Sequence, residues 1–263
     1  IRVDPNSAAM VAAVQPRPAL YASTVEEGIP IVAATGPTPT HSVTCRRNDW
    51  GACPFVDRKV PIPAEFRPQN GTYGPLVVVD DNDGVSYELW QAQQADGAWS
   101  VDFGAVNELS GSGWSGLGGA TASGASLLGG VVRVREVELG VIPHAVALRT
   151  DNACAGAFRP PARHTDGTST RPDCLPEGAR LQLDPSIDLT TLQVPTAQRA
   201  IALALQKYGG FVVGIGGAGL SVAMERDLTA AEGDIGSVYA AAGIRWDHDD
   251  LSGIPWNRLR VVA

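Results

Sequence analysis

Two Asp-Gly turn signals, Asp83-Gly84 and Asp96-Gly97, bracket the run Val85-Ser86-Tyr87-Glu88-Leu89-Trp90-Gln91-Ala92. Turns of this chemistry around alternating residues make a β-meander, and the rest of the chain must complete a fold built on one. Successive side chains of a strand point to opposite faces. Val85, Tyr87 and Leu89 therefore share one face, and Ser86, Glu88, Trp90 and Ala92 the other. A carboxylate two residues from an indole, on the more polar face of a sheet, suits a sugar-binding cleft. The flat ring stacks on a pyranose, and the carboxylate hydrogen-bonds or transfers protons. The plain structural alternative is a half-exposed strand whose Trp is covered by a loop.

At 263 residues the chain has room for one large β domain or two small ones. Its 30 Gly and 19 Pro make it turn-rich, which points to many short strands rather than a helical bundle. Asp4-Pro5-Asn6-Ser7 is a helix start, with a short helix over Ala8 to Val14 stopped by Pro16 and Pro18. Residues 15–75 read as a Pro-rich arm with an edge strand or two. Leu76-Val77-Val78-Val79 opens the main sheet as a strand buried on both faces. Meander strands follow at 85–93 and 98–106, then a Gly/Ser-rich stretch over 110–130, a mobile loop or a cleft wall. Arg133 to Glu138 alternates like a strand but equally fits a short helix ended by Gly140. Ile142 to Thr150, 178–184, Phe211 to Ile215 and Leu220 to Glu225 read as strands. One helix is clear, Thr196 to Tyr208, with apolar residues at helical spacing and Gly209-Gly210 as its stop. The expected fold is mainly β, a two-sheet sandwich of jelly-roll type with the helix 196–208. An arm over 1–75 wraps a sandwich over 76–263, the whole forming one structural unit.

The net charge of −8 argues against nucleic acid or an anionic membrane as partner, since both need a basic footprint. No run approaches the ~18 apolar residues of a membrane span. The four cysteines fall into two local pairs, Cys45 with Cys53 and Cys154 with Cys174, neither at the Cys-x-x-Cys spacing of a zinc site. Two loop-stapling disulfides in an oxidising compartment are expected; the alternative is four buried thiols. The chain begins at Ile1 without Met, as a mature secreted protein would. A secreted monomer is the expectation.

Several segments together resemble a family of secreted bacterial β-rich proteins. The shared features are Val77-Val78-Val79-Asp80 before a turn, Tyr87-Glu88-Leu89-Trp90-Gln91-Ala92, and Gly119 to Gly124 leading into Leu127-Leu128-Gly129-Gly130. Glu136-Val137-x-x-Gly140-x-Ile142-x-His144-Ala145, Pro161-Ala162-x-x-x-Asp166-Gly167 and Pro176-Glu177-Gly178-Ala179-Arg180-Leu181-Gln182-Leu183-Asp184-Pro185 follow in order. Gln206-Lys207-Tyr208-Gly209 closes the helix, so the likeness spans residues 76–226. The resemblance implies a secreted β-rich protein of one domain and carries no activity with it. Where similar proteins often have an Asp after the strand that follows the helix, this chain has Gly214.

Paired carboxylates flanking a glycosidic bond are the usual apparatus of glycoside hydrolysis. Glu88 and Asp102 are the first such pair here, provided that hairpin register puts them on one face; otherwise they are solvated surface acids. His144 shares its face with Ile142, Val146 and Leu148, as a core histidine does; at a cleft edge it would serve as base or sugar ligand. Arg163, His164 and Asp166 lie in the loop that a Cys154–Cys174 bridge would close, placed to hold a hydroxylated or anionic ligand. Arg180, Gln182 and Asp184 form the polar face of the next strand and would line the same cleft. Gly214-Ile215-Gly216-Gly217-Ala218-Gly219 spells the dinucleotide fingerprint but precedes a strand rather than a helix, so a Gly-rich hairpin turn is preferred. Asp80-Asp81-Asn82-Asp83-Gly84 and Asp247 to Asp250 are Ca²⁺ candidates without full EF-hand spacing, and the expectation is no cofactor. No G-x-S-x-G or H-E-x-x-H is present. The function expected is thus an endo-acting glycoside hydrolase on a polysaccharide. Glu88, Asp102 and His144 would be catalytic, and Trp90, Arg163, His164, Asp166, Arg180 and Gln182 would contact substrate. The alternatives are a non-catalytic carbohydrate-binding or cell-surface interaction module and a polysaccharide lyase, in which Arg neutralises a uronate.

Overall fold

The computed structural model describes residues 2–15, 21–64, 66, 74–114 and 116–262. The expected helix stop at Pro16 and Pro18 lies outside them. The chain is mainly β, with 31% strand and 15% helix. It divides into two compact units: residues 1–28 with 130–263, and residues 29–129. The boundary expected at 75/76 falls inside the second unit, so the Pro-rich segment contributes strands to a core there. No helix among the described residues is long and apolar enough to cross a membrane.

The first unit opens with α1 (Ser7–Val14) and β1 (Tyr21–Ser23). The second unit then runs through β2 (Ile31–Ala33), β3 (Thr40–His41), β4 (Val43–Cys45), β5 (Val60–Pro61) and β6 (Leu76–Asp80). It continues with β7 (Val85–Trp90), β8 (Gln93–Ala95), β9 (Ala98–Val101), β10 (Phe103–Glu108) and β11 (Leu117–Gly118). Its larger sheet has the order β11-β10-β7-β6-β2 and its smaller one β4-β9-β8. The all-apolar β6 lies inside the larger sheet, as a strand buried on both faces should. Leu76, Val78, Tyr87, Leu89 and Val106 from the larger sheet share one core with Val43, Trp99 and Val101 from the smaller. That is a sandwich arrangement.

The meander hairpin serves both sheets. Trp90 pairs with Phe103 in the larger sheet and Gln93 with Ser100 in the smaller, in one continuous register. The strand turns the corner at Gln91, whose φ of 55° lies in the left-handed region. The tip is the expected Asp96-Gly97 turn, with φ of 50° and 80°, the two positive values a type I′ turn requires.

The first unit resumes with α2 (Val134–Leu139), β12 (Val146–Thr150), β13 (Ala153–Phe158), β14 (Leu175–Glu177), β15 (Arg180–Leu183) and α3 (Thr196–Lys207). It ends with β16 (Gly210–Ile215), β17 (Ser221–Ala223), α4 (Ser237–Ala241) and β18 (Leu259–Val262). Six strands form a mixed sheet, β1-β17-β12-β16-β15-β18, in which β1 with β17 and β12 with β16 are parallel. Parallel pairs are a feature that a jelly roll of antiparallel strands does not have. Helix α3 buries Ala197, Ile201, Ala204 and Leu205 in the core of this unit and stops where expected, with Gly209 at φ 79°. The ambiguous segment before Gly140 is helical because Glu136 returns to the Arg133 N–H at 2.8 Å and Glu225 accepts from Val134 N at 2.8 Å. Two carboxylates thereby occupy orphan donors of its first turn.

Candidate functional site

The register of the meander hairpin decides the first candidate pair. Glu88 lies opposite Ala105, while the Asp102 N–H bonds Trp90 O at 3.0 Å, beyond the Trp90–Phe103 pair. Asp102 therefore belongs to the alternate face, and the two carboxylates do not share a cleft. Nor is Glu88 solvated: it is 0% exposed. Ser126 and Leu127 reach its face, and its carboxylate accepts from Leu127 N at 2.7 Å, Ser86 Oγ at 3.1 Å and the Ser126 hydroxyl. Burial pushes its carboxyl up, and these hydrogen bonds oppose that. Asp102 takes up a different partner, the Arg46 guanidinium at 2.7 Å. Two open depressions in this unit, of about 450 and 520 Å³, include neither Glu88, Trp90 nor Asp102 among their lining residues.

Trp90, the expected stacking platform, is half-buried and stacks on Trp50, with ring centroids 5.5 Å apart and an interplanar angle of 27°. Phe103 meets Trp50 edge-on at 6.0 Å and 80°. Trp50 itself is 46% exposed. It sits in the loop closed by the Cys45–Cys53 disulfide. Arg46 of that loop donates to Asp102 at 2.8 Å, Ser100 Oγ at 2.8 Å and Gln91 O at 2.7 Å, pinning the loop to the sheet corner. Arg47 donates to both Asp49 oxygens, at 3.0 and 2.9 Å, and its guanidinium lies 4.3 Å from the Trp50 ring centroid. The result is an exposed aromatic step edged by charged hydrogen-bonding groups. Trp50, Arg46, Arg47 and Asp49 were not singled out from the sequence. The signal was present: Arg46-Arg47-Asn48-Asp49-Trp50 lies inside the first cysteine pair, as Arg163-His164-Thr165-Asp166 lies inside the second.

In the other unit, His144 carries an acceptor at each ring nitrogen, Ala145 O at 2.9 Å and Glu136 Oε1 at 2.9 Å. An imidazole donates twice only as imidazolium, and the Glu136 hydrogen bond, partly offset by burial, raises its pKa. It serves as a clamp, with neither nitrogen left to act as a base. Arg180 and Gln182 do not line a cleft either. Arg180 donates to Tyr208 O at 2.8 Å, and Gln182 donates to Gln206 O at 2.9 Å while accepting from Arg260 at 2.7 Å. The polar face of β15 thus satisfies carbonyls that the end of α3 leaves without partners.

The Cys154–Cys174 disulfide forms as expected and spans 20 residues. Arg163, His164 and Asp166 are exposed on its loop. The Asp166 backbone N–H donates at 3.2 Å to a carboxyl group missed in the sequence, that of Glu177. Burial, then the Asp166 carboxylate, pushes Glu177 up to about 8. Gly214 to Gly219 is not a hairpin turn: β12 lies between β16 and β17, and the connection crosses the end of β12, where Thr150 Oγ1 donates to Gly219 O at 2.6 Å. Asp80 makes an Asx turn to Asn82 N at 3.1 Å, and Asp247 caps the 23–26 turn, accepting from Ser23 Oγ, Thr24 N, Val25 N and Glu26 N within 3.0 Å.

The chain matches no family model, no curated protein and no solved structure. Its chemistry is therefore argued from its own groups. Two disulfides form and no cysteine is free among the described residues, the pattern of an extracellular or otherwise oxidising environment.

Proposed function

We propose that the protein is a secreted carbohydrate-binding module whose ligand platform is the Trp50–Trp90 step of the residue 29–129 unit. The observation that supports this most directly is an indole left 46% exposed although a disulfide, three Arg46 hydrogen bonds and two aromatic neighbours fix its position. A pyranose offers an apolar C–H face to such a ring, and a platform already ordered loses little entropy on binding. Arg47, whose guanidinium lies 4.3 Å from the Trp50 ring centroid, and its partner Asp49 supply polar groups for ring hydroxyls. Binding needs no paired acids, and the pair expected for hydrolysis, Glu88 and Asp102, is divided between a buried hydrogen-bond network and a surface ion pair.

The test is affinity electrophoresis of the purified protein against a polysaccharide panel, with product analysis by mass on the same samples. Retention on one polysaccharide without products supports the module. Products of hydrolytic mass, or products lighter by one water, would replace it with a hydrolase or a lyase.

A further inference from the structure

Every Lys and Arg of residues 29–129 lies between Arg46 and Arg67, although the acids of this stretch run from Asp49 to Glu108. Arg67 is outside the described residues. The remaining basic side chains divide by partner. Arg46 pairs with Asp102 at 2.7 Å and Arg47 with Asp49 at 2.9 Å. Arg58 and Lys59 are exposed and have no carboxylate partner among the described residues, and Lys59 donates to Ser42 Oγ at 2.7 Å.

Local folding fixes where these two cations stand. Val56 N donates to Cys53 O at 3.3 Å and Arg58 N to Phe55 O at 3.1 Å, so the chain turns directly after the bridge, through Asp57 at φ 59°. Phe55 at 2% exposure and Val60 at 0% anchor the chain on either side of the pair. A ligand then has only two side chains left to order. Arg58 and Lys59 line the 520 Å³ depression together with Cys45, Cys53, exposed Val56 and Asp57. They also line the 450 Å³ one, but Asp80 and Asp83 share it and offset them. Asp57 is the only acid among the described lining residues of the larger depression, so a positive charge is left over there. The Cys45–Cys53 bridge that lines it also closes the loop carrying Trp50.

We propose that this depression is an anion subsite of the same binding surface, and that the polysaccharide bound is acidic, bearing uronate carboxylates or sulfate esters. The inference rests on the carbohydrate-binding reading of Trp50. The Arg58 guanidinium can give parallel N–H bonds to two oxygens of either group, and Lys59 adds a point charge. Val56 and the disulfide offer an apolar wall to sugar C–H groups. The net charge of −8 opposes bulk adsorption of polyanions, so attraction here is confined to the screening distance of these two cations.

The experiment is affinity electrophoresis of the whole chain in gels containing uronate polymers (polygalacturonate, alginate), sulfated ones (dextran sulfate, carrageenan) or neutral ones (dextran, galactomannan). The wild type should be retained on an acidic class, less so as NaCl is raised, and the class that retains it distinguishes carboxylate from sulfate. Arg58→Ala with Lys59→Ala should weaken that retention about tenfold, with the melting temperature unchanged because both side chains are exposed. Lys59→Arg, which keeps the charge, should keep the retention. Retention on neutral chains alone would overturn the proposal and leave the Trp50 platform standing. Retention on acidic chains that the double substitution does not reduce would overturn it as well. Loss in the double variant with none in Trp50→Ala would uphold the subsite and remove the platform. No retention on any polymer would overturn both.

Discussion

The Glu88 carboxylate receives the backbone N–H of Leu127 at 2.7 Å, which ties the middle of β7 to a Gly/Ser-rich segment with no regular structure of its own at that point. One buried side chain, held also by the Ser126 hydroxyl, thereby fixes the end of a stretch whose composition fits a mobile loop or a cleft wall equally.

Removing that anchor leaves several buried donors without an acceptor. Glu88→Ala should cost about 2–4 kcal/mol in chemical denaturation. It should speed hydrogen exchange at Leu127 and Leu128 and leave polysaccharide retention by the folded fraction unchanged. A variant of wild-type stability that lost activity or binding would mean that Glu88 meets ligand directly.

Trp50 tests the platform. Trp50→Ala should weaken retention about tenfold or more. Because the ring is half-exposed, unfolding free energy should stay within about 1 kcal/mol of wild type. Undiminished retention would move the binding surface elsewhere.

Glu177 gives the fold a pH dependence. Its folded pKa, about 8, lies above the ordinary 4.5, so the folded chain binds the proton more tightly than the unfolded one. Stability from this group is therefore full below pH 4.5 and falls as pH rises towards 8, by at most about 1.4 kcal/mol per unit. Glu177→Gln should flatten that slope. An unchanged slope would assign the effect to another group.

His144 has the same sign for a different reason. Its partner Glu136 raises its pKa above 6.5, so the stability it contributes is complete below 6.5 and is lost as pH rises through the folded value. Glu136→Gln should lower the His144 pKa, read from imidazole NMR shifts. A titration indifferent to that change would place the clamp elsewhere.

Loss of the second bridge should be costly. Replacing Cys154 and Cys174 by Ser opens a closure of 20 residues and should destabilise the unit by about 3 kcal/mol. A double variant of wild-type stability would show that the bridge does not constrain the unfolded chain.

What was legible in the sequence was local. Asp83-Gly84 and Asp96-Gly97 located both turns of the meander, the spacing of Ala197, Ile201, Ala204 and Leu205 located α3, and nearness in sequence paired the cysteines. What was not legible depended on chain from elsewhere. Alternation marked the Glu88 face as polar, but whether a polar face meets water or other chain is decided by Ser126 to Leu128, which have no period to read. The face of Arg180 and Gln182 was misassigned for the same reason, since the carbonyls that claim it lie at the far end of α3. The Gly-rich link after Ile215 read as a hairpin because nothing local reveals that β12 is inserted between the strands it joins. Glu177 was passed over because Pro176, Gly178 and Ala179 make it resemble an ordinary turn acid, and its meaning appears only beside Asp166.

The division of the chain sets an order of assembly. Among the described residues, every strand pairing of the 29–129 unit is made within that stretch, whereas β1 pairs with β17 and Val261 N reaches back to Ser7 Oγ at 2.8 Å, 254 residues away. Contacts between distant parts of a chain form late, after local ones have paid their smaller closure entropy. The inserted segment can therefore close on itself while the residues before it are still waiting for partners that have not been made. A block in synthesis short of β18 would leave one folded unit with a loose leading strand and helix, open to proteases at its amino-terminal side.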